Sequence, residues 1–203
     1  LKVEHFVSLE TLLVSSQADV VVLCTPSGLH PMQTIQVARA GRHVITEKPM
    51  AASVEQATIL VDTARASGVR YSVGYMKRHD EGVQLAKKLL DEVIANGELG
   101  PIVYARSHCF MGNSYANAGG HIVTDEVPSS KRPEWPIAPD WVPEARKVDY
   151  AWFLNVYCHN INLLRYLLDR TPRVDFARLD NKNGMVAILN FDGYSATLEA
   201  GRS

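Results

Sequence analysis

The 203-residue chain has no long apolar run. Its longest, Val20–Cys24, Tyr150–Leu154 and Met185–Leu189, are five residues each, against the ~18 that a membrane helix needs. No signal-peptide pattern opens the given sequence, and a cytoplasmic protein with no membrane partner is expected. An excess of charge of either sign is also missing: 21 Lys+Arg stand against 22 Asp+Glu, a formal net charge of −1. That balance gives no electrostatic reason to expect nucleic acid as a partner. Cysteine is scarce. Cys24, Cys109 and Cys158 are odd in number, far apart and without CxxC spacing, which excludes a disulfide framework and fits a reducing compartment. His108 and His121 have no partner at metal-ligand spacing, so no metal site is expected. Gly112 and Ser114 lack the flanks of a nucleophile elbow, which removes serine hydrolysis. There are no internal repeats and no low-complexity tract. What remains, 46% hydrophobic and 21% charged, is ordinary globular usage. At roughly 100–200 residues per domain, the length fits one domain or parts of two. The first residue is Leu1 and the first pattern reads as the middle of a fold, so a piece of a longer chain, truncated at both ends, is expected.

The first third alternates helix and strand signals. A short capped helix over Ser8–Val14 precedes a buried strand over Ala18–Thr25, whose continuous β-branched run predicts cover on both faces. A turn at Thr25–Gly28, a helix from His30 to Ala40 stopped by Gly41, and a strand over Arg42–Thr46 follow. Ser53 and Gln56 form a capping box for a helix to about Ser67, with Gly68 as its stop. Arg70–Gly74 is the third strand. Strand–helix–strand–helix–strand means right-handed crossovers and a parallel sheet, half of a doubly wound domain. We assign it to residues 1–76.

The character changes over residues 77–203. An amphipathic helix spans Glu81–Asn96, closed by Gly97, and Ile102–Phe110 is a strand. Residues 111–147 carry Gly119, Gly120, five prolines (Pro128, Pro133, Pro136, Pro139, Pro143) and two tryptophans with no period, as binding segments often do. Trp135 and Trp141 read better as a loop packing its own aromatics than as the floor of a sugar pocket. A long helix over about Tyr150–Asp169 leads to three strands, Arg173–Leu179, Gly184–Phe191 and Ser195–Ala200. Asn-Gly and Asp-Gly turn signals between them predict an open, mostly antiparallel sheet. The fold class is therefore α/β: the C-terminal half of a doubly wound parallel sheet, then an incomplete α+β domain.

Two constellations carry chemistry. Glu47, Lys48 and Pro49 directly follow the strand Arg42–Thr46, and ligands of open parallel sheets bind outside the carboxyl ends of the strands. Asn155 and His159, spaced i, i+4, share one face of the long helix. Each alone has an ordinary structural reading, a surface Lys-Pro turn and a satisfied half-buried histidine.

Taken in order with Cys24, Thr25, Pro26, Ser27 and His30, these residues resemble the glucose–fructose oxidoreductase / inositol 2-dehydrogenase (Gfo/Idh/MocA) family. The likeness runs from about Asp19 to about Asp169. It implies an N-terminal Rossmann domain binding NAD or NADP and a C-terminal domain with an open sheet. It also implies hydride transfer between nicotinamide and a hydroxyl or carbonyl of a sugar, inositol or related polyol, and a homo-oligomer formed through the C-terminal sheet. Thr25, Pro26 and His30 would then lie near the nicotinamide, Glu47 on its ribose and Pro49 in a cis peptide with Lys48. Lys48 would reach the reacting substrate oxygen, Arg78 would face the cleft, and His159 would be the general base or acid, with Asn155 beside it. An imidazole titrates near neutrality and suits that role.

Two departures from the family pattern matter. The family carries Asp where this sequence has Asn155, and an amide can neither hold a negative charge nor accept a proton. Asp125, Glu126 and Asp149 are candidate carboxylates in its stead. The Gly-rich turn that cradles the pyrophosphate does not occur in these 203 residues; in the family it precedes the point where this sequence begins. Two further functions stay open at this level: an NAD-dependent glycosidase on the same scaffold, and a non-catalytic binding or regulatory protein.

Overall fold

A computed structural model describes residues 3–111, 135–180 and 184–202. The chain divides into two compact units, formed by the described residues of Leu1–Gly74 with Lys131–Asn155, and of Tyr75–Ser130 with Val156–Ser203.

In the first unit, α1 (Leu9–Ser15), β1 (Val20–Leu23), α2 (His30–Arg39), β2 (His43–Thr46), α3 (Val54–Ala66) and β3 (Tyr71–Val73) alternate. The strands form a parallel sheet in the order β1-β2-β3. Its register pairs Leu23 with Thr46 and Thr46 with Val73, so the three strands end level. That flush edge is what positions the turns carrying Thr25, Lys48 and Gly74.

Capping side chains start the helices. Ser8 and Thr11 form a reciprocal capping box at α1, which satisfies donors that the first turn leaves orphaned. At α3, Ser53 accepts from Gln56 N at 3.2 Å, but the Gln56 amide oxygen accepts from Ala52 N at 2.9 Å. The expected box is thus displaced by one residue on its return arm.

The core of this unit is Val21, Leu23, Val37, Ala38 and Val44, with Leu9, Leu12, Leu13, Val69 and Tyr71 packed against it. One expectation fails here. The strand read as covered on both faces is covered on one: Val21 and Leu23 are buried, whereas Val20 and Val22 are 44% and 59% exposed. The reason is topological. Strands added in sequential order by right-handed crossovers lay their helices on the same side, and α2 packs against α3 on that side.

The second unit opens with a 3-10 turn, Met76–His79. Next come α4 (Glu81–Asn96), β4 (Tyr104–Met111), the part of α5 (Lys147–Leu168) after Asn155, and β5 (Arg173–Asp180), β6 (Gly184–Asn190) and β7 (Ser195–Arg202). Asp80 caps α4 through Val83 N at 3.1 Å, and Gly97, at φ 67°, ends it in the left-handed conformation that glycine adopts without strain. The sheet order is β4-β7-β6-β5. β6 runs antiparallel to both neighbours, and β4 joins β7 in parallel. The sheet is therefore mixed, with the antiparallel share that the turn signals predicted.

Alternation sorts its two faces. Met185, Ala187, Leu189, Ala196, Leu198 and Ala200 are buried, as are Tyr157, Cys158 and Leu164 of α5. The Tyr157 hydroxyl donates to Gly201 O at 3.2 Å, tying helix to sheet. On the other face Phe176, Val186 and Ile188 are exposed, and Arg106 of β4 pairs with Glu199 of β7 through bonds of 2.9 and 2.6 Å.

Two stability effects are expected. Leu23→Ala should cost about 2–5 kcal/mol in urea unfolding, as buried Leu truncations do, while Val22→Ala on the same strand should stay within about 0.5 kcal/mol. The Arg106 guanidinium holds the Glu199 carboxyl below its ordinary value, chiefly by hydrogen bonding. A depressed carboxyl contributes stability above its unfolded value of about 4.5 that is lost as pH falls through the lower folded value. Glu199→Gln should lose that small contribution at neutral pH, leave the acid end unchanged, and so flatten the acid limb of the stability profile.

Candidate active site

At the carboxyl edge of the parallel sheet, β1 runs into the turn Cys24–Gly28 and β2 into Glu47–Pro49. The Lys48–Pro49 peptide is cis. The Lys48 ammonium donates to Asn155 Oδ1 at 2.8 Å and to Asn155 O at 3.0 Å. Two residues 107 positions apart, singled out separately in the sequence, therefore meet within the first unit. An ammonium has three N–H donors; two are on Asn155, and the third has no hydrogen-bond partner among the described residues.

Glu47 is exposed, and its carboxylate accepts from Lys48 N at 3.1 Å. Gly74, at the end of β3, donates its N–H to Thr46 O at 2.8 Å. A Cβ there would lie 3.3 Å from Thr46 O and 3.7 Å from the Glu47 carboxylate, so glycine keeps open the space beside that carboxylate. The Thr25 hydroxyl donates to Gln33 Oε1. His30, the first residue of α2, is 1% exposed. Its Nε2 lies 2.7 Å from Thr25 O and its Nδ1 3.3 Å from Pro49 O.

The segment leading into α5 lies over these turns. Gln56 Nε2 donates to Pro136 O at 3.2 Å, and the Tyr150 hydroxyl to Ala52 O at 2.9 Å. Trp141 meets Tyr150 of α5 edge-on at 5.9 Å. Burial raises the Tyr150 hydroxyl above its ordinary pKa, with the Glu55 charge adding to the effect.

His159 follows Asn155 by one turn of α5 and belongs to the second unit. Tyr75 meets its ring edge-on at 6.5 Å. Arg78 is engaged along the same helix: its Nε donates to Asn162 Oδ1 at 2.6 Å, and its guanidinium lies 5.1 Å over the Tyr166 ring. Of the substitute carboxylates, Asp149 lies six residues before Asn155, about 9 Å along the helix at 1.5 Å per residue. Asp125 and Glu126 lie outside the described residues, as do Gly112, Ser114, Gly119, Gly120 and His121. Among the described residues no group of His, Cys, Asp and Glu is arranged to hold a metal. Gln33, Asn162 and Gly74 were not singled out from sequence; the glycine closing a strand beside Glu47 was the one readable signal.

Residues 1–75 match the model described as oxidoreductase family, NAD-binding Rossmann fold. The WlbA dehydrogenase of Bordetella pertussis, solved with NADH and UDP-GlcNAcA, superposes with a TM-score of 0.67 at 30% identity, over 96% of this chain and 51% of that one. Over residues 1–75 the chain matches the Gfo/Idh/MocA family. Glucose-6-phosphate 3-dehydrogenase of Bacillus subtilis is 32% identical over 128 residues, 63% of this chain and 35% of that protein. The 2,7-anhydro-N-acetylneuraminate hydratase of Escherichia coli is 36% identical over 85 residues, 42% and 23% of the two chains. The apo scyllo-inositol dehydrogenase of Lactobacillus casei, at 20% identity and TM-score 0.70, shares the fold over 97% of this chain and 53% of that one. The chain thus spans about half the length of these solved family members.

Proposed function

We propose that the protein is an NAD(P)-dependent oxidoreductase that moves a hydride between nicotinamide and a hydroxyl or carbonyl carbon of a sugar, inositol or related polyol. The observation that carries this reading is the Lys48 ammonium held by Asn155 at the carboxyl edge of the parallel sheet. The residues at that edge fit a nicotinamide nucleoside. The exposed Glu47 carboxylate can accept from ribose hydroxyls, Gly74 leaves room beside it, and Thr25, Pro26, Lys48 and Pro49 line the turns around it. When bound, the cofactor accepts or supplies the hydride.

Lys48 directs its third N–H at the substrate oxygen and draws negative charge onto it as the C–H bond opens. His159 takes the hydroxyl proton in oxidation and returns it in reduction. Asn155 fixes Lys48 and cannot itself exchange a proton with the imidazole. Arg78, bound to Asn162 and Tyr166, lies along the helix beyond His159 and contributes to the substrate side.

A second reading keeps the scaffold but has no net redox change, as in a glycosidase that oxidises its substrate transiently. The relative named as a hydratase favours it. Retained cofactor with no net change in nicotinamide absorbance during turnover would mark this case. Three free cysteines, and the absence of any described helix long and apolar enough to cross a membrane, support a cytoplasmic setting. The exposed Phe176, Val186 and Ile188 on the open sheet face support a homo-oligomer.

With the full chain and a panel of sugars and inositols, Lys48→Ala and His159→Ala should each lower turnover ~10²–10⁴-fold, the usual share of acid–base groups. Unchanged rates would remove both assignments. By light scattering the protein should exceed the mass of one copy, and Phe176→Glu should shift it toward one; no shift would place the interface elsewhere.

A further inference from the structure

We infer that His30 is a positioning residue: its buried imidazole ties the turn after β1 to the turn after β2 and so sets where the Lys48 ammonium lies. The family likeness implies a place for His30 near the cofactor, but its geometry describes something else. The ring is 1% exposed, and each nitrogen faces a backbone carbonyl oxygen rather than open space. Nε2 is 2.7 Å from Thr25 O, five residues back along the same loop. Nδ1 is 3.3 Å from Pro49 O, nineteen residues on.

Both oxygens belong to turns that no strand ladder holds. β1 ends at Leu23 and β2 at Thr46, and the last ladder-like bond at this edge is Glu47 N to Leu23 O at 2.9 Å. Beyond it, the Lys48 N–H is used locally on the Glu47 carboxylate, and Pro49 has no N–H to give. Pro49 is nevertheless buried, and a buried carbonyl without a donor costs free energy comparable to a lost hydrogen bond. The imidazole reaches both turns: with a single N–H, the neutral ring donates to one of the two carbonyl oxygens and packs its other nitrogen against the second.

α2 holds the ring in place. Its first residues lack a capping side chain, and the chain enters through Leu29 N to Pro26 O and His30 N to Ser27 O, at 2.9 and 3.3 Å. Pro31 follows at a position where a proline needs no N–H. The helix start is therefore stiff, and the ring that projects from it is a fixed strut rather than a mobile side chain. Lys48 lies directly before Pro49, so displacement of the Pro49 carbonyl displaces the root of the Lys48 side chain.

This inference rests on the proposed hydride-transfer reading only for its activity test. In the full chain, His30→Phe should fill the site without donating, lowering kcat more than 10-fold while KM for the sugar or polyol changes less than 3-fold. His30→Gln, which can still donate to Thr25 O, should recover part of the loss. Combined with Lys48→Ala, His30→Phe should add little further loss of kcat, because both act through the same ammonium. Additive losses, or an unchanged kcat in His30→Phe, would overturn the inference. If the wild-type chain transfers no hydride, hydrogen–deuterium exchange still reads the tie. His30→Phe should speed exchange in both turns, residues 25–29 and 47–52, with β2 unchanged. Faster exchange confined to residues 25–29 would show that the ring serves only its own loop, and faster exchange throughout the unit would show a role in the fold alone.

Discussion

A lysine ammonium held by a neutral amide is the contact on which the candidate site depends. A carboxylate in the place of Asn155 would cancel the Lys48 charge; the amide and the carbonyl of Asn155 solvate it and leave it whole. The level ends of β1, β2 and β3 make that contact available, because the in-register pairing of Leu23, Thr46 and Val73 starts all three turns from one edge. A slip of one residue in a strand would turn its buried residues outward and move its turn off that edge. Core packing of Leu23, Val37 and Val44 thus underlies the placement of Lys48.

Much of this was legible in the sequence because the signals are local. Ser8 and Ser53 before helices, Gly41, Gly68 and Gly97 after them, and apolar runs of four or five mark elements whose bounds the structure reproduces within a few residues. Glu47-Lys48-Pro49 was legible for the same reason: the end of a parallel strand is a place, and a lysine there has few structural duties. The i, i+4 spacing of Asn155 and His159 likewise follows from helix geometry alone.

What escaped was non-local. The direction of β4 relative to β7 depends on pairing between residues about ninety positions apart, and hairpin signals report only on neighbours such as β6 and β7. The single-sided cover of β1 was misread because a run of valines is equally at home in a strand with one open face. The return of the segment before Asn155 to the first unit, through Gln56 with Pro136 and Ala52 with Tyr150, has no period to announce it. His30 was noticed through family likeness, yet its two carbonyl partners lie on turns that only the folded chain brings together.

The neutral partner of Lys48 also bears on the direction of proton flow. A unit charge about 4 Å from a developing alkoxide is worth roughly 4 kcal/mol at an effective dielectric of 20. A carboxylate bound to that ammonium would offset much of this; an amide offsets far less. Under the proposed hydride transfer, the arrangement would therefore stabilise the alkoxide side at the substrate oxygen. The same amide does nothing to stabilise a protonated imidazole one turn further along α5, since it brings no negative charge to it. On the proposed reading both effects run in one direction: they favour negative charge on an oxygen bound by Lys48 and add no stabilisation to a proton on His159. On this argument Asn155 alters the balance of the chemistry without removing the groups that perform it.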